Sequence, residues 1–269
     1  MSGAALRATA RDWLARGEPA IEVRVAQARG SAPREAGARM LVSERAVAGT
    51  VGGGHLELQA IELARGMLAA HETLPREKHY PLGPALGQCC GGAVTLAFKP
   101  LTDAVLARWP APRPRFHLQL YGAGHVGRAI VNLLSGLDCE VQWIDERDAE
   151  FPDGPLPPHI EKVCVDAVEG EVDTAAPGAF YLVLTHSHDL DMRITEAVLR
   201  RGDFGFLGLI GSQTKRARFL HRFEARGIAP EMLGRMTCPI GVPGITGKEP
   251  EVIAVSVVAQ LLQVGSARS

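Results

Sequence analysis

The stretch FHLQLYGAGHVGRAIVNLL, residues 116–134, decides the fold of the second half of the chain. Its first part alternates apolar and polar side chains and predicts a strand, while His125–Leu134 predicts a helix. The glycines between them fit G-x-G-x-x-G, and a second strand is predicted at residues 140–144. A strand, a glycine turn, a helix and a further strand in this order are typical of a nucleotide-binding α/β unit.

The three glycines of this motif, Gly122, Gly124 and Gly127, are candidate binding residues for a phosphate-bearing cofactor or a nucleotide. Glycine lets the backbone approach a ligand closely, and the following helix N-terminus offers unpaired N–H groups to an anion. Asp145 ends the second strand, where a carboxylate accepts hydrogen bonds from a ribose. The alternative is that the loop belongs to the fold and binds no dinucleotide.

Strands and helices continue to alternate through the rest of the second half. This pattern predicts a doubly wound parallel sheet, and hence a Rossmann-like domain. The predicted strands cover residues 162–165, 180–184 and 206–210, and the predicted helices cover residues 190–201, 214–226 and 251–262.

The proline-rich segment at residues 109–115 predicts a semi-rigid linker. It separates a small N-terminal α/β domain, residues 1–108, from the Rossmann-like domain, residues 116–269. The α/β prediction for the first domain rests on an amphipathic helix at the N-terminus, alternating strands and a helix after residue 54.

The composition indicates an ordinary globular protein. The 269 residues are 46% hydrophobic and carry a net charge of −1, so neither a nucleic acid nor a membrane surface is an expected partner. The N-terminus has no apolar signal core and no stretch is long enough to span a bilayer, which predicts a cytoplasmic protein with reduced cysteines.

Two glycine-rich segments of the first domain are candidate cofactor sites. Successive N–H groups of Gly52, Gly53 and Gly54, before His55, predict an anion-binding nest, and further donors nearby in sequence are Ser31, Arg34 and Arg39. The alternative is a tight turn that requires positive φ.

The second segment, GQCCGG at residues 87–92, holds adjacent cysteines. A thiolate of Cys89 or Cys90 suits a soft metal or a persulfide, and Gln88 can hydrogen-bond a heterocycle. The alternative is one buried thiol with an incidental neighbour. A zinc site is not predicted, because no second C-x-x-C or paired histidine completes it.

The stretch THSHDLD, residues 185–191, follows a predicted strand at the carboxyl edge of the sheet. His186 and His188 are candidate ligand contacts there. A metal site and a polar helix cap, with Ser187 or Asp189 as N-cap, are the alternatives.

A second strand–glycine–helix turn follows at residues 209–216. Ser212 is a candidate cap for its helix, and Lys215 and Arg216 either attract an anion or are solvated.

Taken together, these segments resemble the XdhC/CoxI family over almost the whole chain. The resemblance is carried by GSAPREAG (30–37), GTVGGGHLE (49–57), GQCCGG (87–92), YGAGHVGRA (121–129), THSHDLD (185–191), LIGS (209–212), CPIG (238–241) and EPEVIAVSVVAQLL (249–262). The segment at residues 242–248 is longer than the family pattern leads us to expect, and no role is carried over to it.

The resemblance implies a homodimeric, two-domain chaperone for the molybdenum cofactor, a pyranopterin dithiolene with a phosphate. Such a protein shields the cofactor while a cysteine desulfurase supplies its terminal sulfur, and then inserts it into apo xanthine dehydrogenase. On this hypothesis Cys89 or Cys90 contacts the molybdenum, and the protein is a carrier without turnover chemistry. Two alternatives remain open: an NAD(P)-dependent oxidoreductase and a nucleotide-sensing regulatory module.

Overall fold

The computed structural model describes residues 1–82, 92–111 and 113–267. They divide into two compact units, Met1–Pro112 and Arg113–Ser269. Each unit contains its own sheet and its own hydrophobic core.

Unit 1 is an antiparallel sheet with a helix on each face. Its strands run in the order β3-β2-β1-β5-β4. Its elements are α1 (Gly3–Ala15), β1 (Ala20–Arg29), β2 (Arg39–Ser43), β3 (Val47–Gly49), α2 (Gly54–Ala69), β4 (Arg76–Pro81), β5 (Ala93–Pro100) and α3 (Asp103–Ala107).

The alternation along β1 explains why both faces of this sheet are covered. Ile21 and Val23 belong to the core that includes Leu56 of α2, whereas Ala20 belongs to the core that includes Leu6 of α1. Neighbouring residues of a strand point to opposite faces, so one strand contributes to two separate apolar clusters.

Unit 2 is a parallel sheet with helices between the strands, which confirms the predicted Rossmann-like fold. Its strand order is β11-β10-β9-β6-β7-β8, and each pairing is parallel. Its elements are β6 (His117–Tyr121), α4 (His125–Leu134), β7 (Glu140–Asp145), β8 (Ile160–Cys164), β9 (Phe180–Val183), α5 (His188–Arg201), β10 (Phe206–Leu209), α6 (Gln213–Ala225), α7 (Pro230–Gly234), β11 (Met236–Thr237) and α8 (Pro250–Ser266).

The strand order creates a topological switch point at β6. This strand pairs with β7 on one side and with β9 on the other. The chain therefore adds β7 and β8 on one side of β6 and then crosses over to add β9, β10 and β11 on the other side. Open parallel sheets bind ligands outside the carboxyl ends of the strands at such a point. The glycine loop after Tyr121 and the loop after Val183 both lie at this edge.

No helix in the described ranges is long and apolar enough to cross a membrane.

Candidate functional site

Two glycines of the loop between β6 and α4 are required by packing alone. Gly122 has a φ of +122°, and a Cβ there would lie 2.3 Å from the carbonyl oxygen of Leu184. A Cβ on Gly127 would lie 2.1 Å from the carbonyl oxygen of Gly122. Both positions therefore exclude larger side chains, whether or not a ligand binds.

Gly124 differs from its two neighbours in the motif. Its φ is −68°, a value open to any residue, and a Cβ there would meet no atom within 4 Å. It is the N-cap of α4, and no side chain of a described residue caps the helix at this end. The first turn of α4 therefore presents N–H groups toward open space, an arrangement that attracts a phosphate.

The carboxylate of Asp145 lies at the end of β7 and is held by four hydrogen bonds. Its Oδ2 accepts from the N–H of Ala123 at 2.8 Å and from the guanidinium of Arg147 at 3.0 Å. Its Oδ1 accepts from the backbone N–H of Arg147 at 2.9 Å and from its Nε at 3.0 Å.

Asp145 is therefore not free to receive a ribose hydroxyl in this conformation. Burial raises its pKa, but the hydrogen bonds from Arg147 and Ala123 outweigh burial and hold the pKa below the ordinary value. The carboxylate stays ionised and fixes the backbone of the glycine loop. A ribose at this position has to displace Arg147.

Arg128 and Glu150 extend this network, and sequence reasoning missed both. The Nε of Arg128 donates to the carbonyl oxygen of Ala123 at 3.0 Å, and its Nη2 lies 2.8 Å from Glu150 Oε2. Glu150 also lies 3.3 Å from Arg147. The only sequence signal was an arginine one residue after the glycine motif.

The THSHDLD stretch builds the start of α5. Ser187 is the N-cap, and its hydroxyl accepts from the N–H of Leu190 at 3.4 Å, which confirms the helix-cap interpretation. This cap starts the helix at His188, two residues earlier than predicted. Asp191 accepts from the N–H and hydroxyl of Thr185, at 2.9 Å and 2.7 Å.

Lys215 is buried, so the interpretation of a solvated lysine was wrong, and the anion that it attracts is a carboxylate of the protein itself. Its Nζ lies 2.5 Å from Oδ2 of Asp191 and donates to the carbonyl oxygen of Ile210 at 2.8 Å. Ser212 caps α6 as predicted, with its hydroxyl accepting from the N–H of Lys215 at 3.2 Å. The pairing of Asp191 with Lys215 joins the starts of α5 and α6.

The two histidines of this stretch separate. His186 and Asp145 line the same narrow crevice, and the Nε2 of His186 lies 3.5 Å from a carboxylate oxygen of Glu146. His188 is exposed and its Nδ1 lies 2.9 Å from the guanidinium of Arg218. The described residues contain no group of three metal-binding side chains.

In unit 1 the predicted nest is occupied by the protein's own carboxylate. Glu57 Oε1 accepts from the N–H groups of Val51, Gly52 and Gly53, at 3.0, 3.2 and 2.9 Å, and from the hydroxyl of Thr50. Burial raises the pKa of Glu57, but these hydrogen bonds together hold it below the ordinary value. The nest around Glu57 thus consists of the N–H groups of residues 51–53 rather than the predicted 52–54, and an external anion has to compete with Glu57 for it.

The other predicted residues of this turn point to solvent. His55 is exposed and contacts Gln59, with 2.9 Å between their nitrogens. Arg34 is exposed as well. Neither side chain contributes to the bonds that fill the nest.

Comparison with known proteins assigns the chain to a family. The model of the XdhC Rossmann domain matches residues 118–261, and the model of the XdhC and CoxI family matches residues 13–80. The chain belongs to the XdhC and CoxI family. This confirms the resemblance inferred from the sequence motifs.

Two relatives accompany this assignment. The uncharacterized protein YqeB of Escherichia coli K12 is 29% identical over 255 residues, which are 91% of this chain and 43% of the relative. The chain thus spans less than half the length of this relative. A crystal structure described as a xanthine dehydrogenase from Bacillus halodurans has a TM-score of 0.79 and 21% identity, covering 100% of this chain and 97% of its own, and shows a shared fold.

Three of the predicted site residues lie outside the part of this XdhC and CoxI family member that the structure describes. They are Gln88, Cys89 and Cys90. Their assignment as cofactor and molybdenum contacts stays a prediction. The described part of the site consists of the open start of α4, the fixed carboxylate of Asp145 and the neighbouring His186.

Proposed function

We propose that this protein is an accessory protein of xanthine dehydrogenase maturation that binds the molybdenum cofactor and delivers it to the apoenzyme. Membership in the XdhC and CoxI family supports the general role. The name of the structural relative, a xanthine dehydrogenase, agrees with the same partner.

The observation that carries the proposal is the open N-terminus of α4 at Gly124. The molybdenum cofactor ends in a phosphate, which is suited to a helix start with free N–H groups and no capping side chain. The packing of the loop requires glycine at positions 122 and 127, whereas a Cβ at position 124 would meet no described atom within 4 Å. In our proposal the phosphate lies at this helix start.

The molybdenum end of the cofactor requires softer groups. Thiolates of Cys89 and Cys90 have the chemistry for it, since soft ligands suit molybdenum and a cofactor that exchanges sulfur. A cysteine desulfurase as the sulfur source and a homodimer as the working form belong to the same proposal. The described residues offer no alternative cluster of metal ligands.

The carrier role involves no turnover chemistry by this chain. A general base has to be free to reach the proton that it removes. The carboxylates of Asp145, Asp191 and Glu57 are each held by several hydrogen bonds from the protein. They are suited to holding loops in place rather than to moving protons.

Activation of apo xanthine dehydrogenase tests the proposal. Free molybdenum cofactor is mixed with the apoenzyme at a low oxygen concentration, with or without this protein. The rate of xanthine oxidation is then measured over time. We expect a larger active fraction with the protein present, and a smaller gain with the Gly124→Val variant. An active fraction that is the same with and without the protein would contradict a role in delivery.

A second candidate is a nucleotide-binding protein, either an NAD(P)-dependent oxidoreductase or a regulatory sensor. The G-x-G-x-x-G loop at the switch point favours it. The occupied carboxylate of Asp145 opposes it, because Arg147 takes the place of a ribose. Titration with NADH separates the candidates: tight binding with hydride transfer supports the oxidoreductase, and tight binding without turnover supports the sensor.

A further inference from the structure

Unit 1 contains a cationic groove that the proposed function does not use. The groove has a volume of about 430 Å³ and lies beside α3. We call it the basic groove and define it by its charged lining residues, which are Glu22, Arg24, Arg39, Lys99 and Arg108. Four cations and one carboxylate give it a net charge of +3 in a chain whose total charge is −1.

The register of β1 and β2 places two arginines opposite each other in this groove. Arg24 and Arg39 are direct partners across the antiparallel pair, so their side chains leave the same face of the sheet. Both are half-buried. Like charges in this arrangement destabilise a sheet, so the pair imposes a cost that the fold alone does not explain.

Only one of the two arginines is neutralised within the protein. Arg39 lies 2.9 Å from Glu22, donates to the carbonyl oxygen of Gly37 at 2.8 Å and stacks over the ring of Trp109. The side chain of Arg24 forms no ion pair or hydrogen bond with any described residue, and the same holds for the side chains of Lys99 and Arg108. Three cationic side chains of the basic groove thus remain unpaired among the described residues.

A buried donor without a partner belongs to a residue that lines the same groove. Trp109 lines the groove and is 8% exposed, and its indole Nε1–H has no acceptor among the described residues. A buried donor without a partner destabilises the folded protein. The unpaired cations of the basic groove are complementary to an oxyanion.

We propose that the basic groove binds the phosphate or diphosphate group of a small molecule. The concave shape and the volume are those of a small-ligand site, and guanidinium groups pair with phosphate oxygens in a bidentate manner. The bound anion lies between Arg24, Lys99 and Arg108 and relieves the repulsion between Arg24 and Arg39. This site is separate from the start of α4, and the proposal holds whichever cofactor unit 2 binds.

Calorimetric titration with pyrophosphate at low salt tests the proposal. The Gly124→Val protein serves as the parent into which the further substitutions are introduced. Valine at position 124 covers the start of α4, so that binding at that helix does not contribute. We expect saturable binding of one pyrophosphate per chain in the parent. The double variant Arg24→Gln/Lys99→Gln is expected to bind at least tenfold more weakly, and Arg108→Gln several-fold more weakly.

Arg11→Gln is the matched control, because Arg11 is an exposed cation of the same unit outside the groove. It is expected to keep the parent affinity. Acetate serves as an anion without phosphate and is expected not to bind measurably. Thermal unfolding checks the fold: Arg24→Gln removes a like charge and is expected to melt no lower than the parent.

Three results would overturn the proposal. They are no pyrophosphate binding in the parent, unchanged binding in both Arg24→Gln/Lys99→Gln and Arg108→Gln, and acetate binding as tight as that of pyrophosphate. Failure here leaves the molybdenum cofactor proposal intact, because that one depends on the start of α4 and on retention of the pterin.

Discussion

The Nζ of Lys215 lies 2.5 Å from Oδ2 of Asp191, and both side chains are buried. Asp191 belongs to α5 and Lys215 to α6, so this ion pair joins the starts of two helices at the carboxyl edge of the sheet. Asp191 also holds the backbone of Thr185. The acidic stretch at residues 185–191 therefore stabilises the fold in part, through the contacts of Asp191.

The first prediction concerns this pair. Asp191→Asn leaves the charge of Lys215 buried without its counterion, and removal of one partner of a buried pair costs about 3 to 5 kcal/mol. We expect the free energy of unfolding in urea to fall by an amount in this range.

Asp189→Asn is the control for this experiment, since Asp189 is an exposed acid in the first turn of the same helix. It is expected to cost less than about 1 kcal/mol, through the helix dipole alone. Equal losses in the two variants would show that the ion pair contributes nothing specific.

The second prediction concerns the carboxylate in the nest of unit 1. Glu57→Gln removes the charge that three backbone N–H groups surround, and we expect a loss of about 1 to 2 kcal/mol at neutral pH, the range of a lost helix cap. Urea unfolding measures this loss, and Glu62→Gln is the control, because Glu62 is exposed on the same helix.

The loss at Glu57 also depends on pH. The folded-state pKa lies below the ordinary value of 4.5, so the ionised carboxylate contributes stability above about pH 4.5. This contribution is lost as the pH falls through the folded-state pKa. The difference in stability between wild type and Glu57→Gln is therefore expected to shrink in acid, and a constant difference from pH 7 to pH 3 would contradict the assignment.

The third prediction compares the cost in stability of replacing two glycines of the loop between β6 and α4. Gly127→Ala places a methyl group against the carbonyl oxygen of Gly122 and is expected to cost about 1 to 3 kcal/mol or more. Gly124→Ala meets no atom and is expected to cost less than about 1 kcal/mol. Thermal unfolding of the two variants tests the difference, and the reverse order would be incompatible with the loop geometry.

The local patterns of the sequence were sufficient for the fold class of unit 2 and for five of its six strands, whereas the two-residue strand β11 and the short helix α7 were not predicted. The glycine motif between two strands and the regular alternation of strands and helices predict a parallel sheet, because each signal lies within a few residues of the chain. The serine caps at positions 187 and 212 are local in the same way.

The partners of charged groups were not predictable, because they depend on tertiary packing. Lys215 meets Asp191 across 24 residues of sequence, and the opposition of Arg24 and Arg39 depends on the register of β1 and β2. The filling of the nest by Glu57 is nearly local. The sequence signal for it was an acid in the first helical turn after three glycines, which favours a carboxylate that folds back on the nest.

Retention of the molybdenum cofactor is the decisive test of whether this protein is its carrier. Purified protein is mixed with free cofactor without oxygen and desalted, and the retained pterin is oxidised to its fluorescent derivative and measured. We predict about one pterin per chain in the wild type and in Arg11→Gln, and strongly reduced retention in Gly124→Val and in Cys89→Ala/Cys90→Ala. If the wild type retains no pterin but binds NADH in the same preparation, the carrier account is wrong and unit 2 is a nucleotide-binding domain.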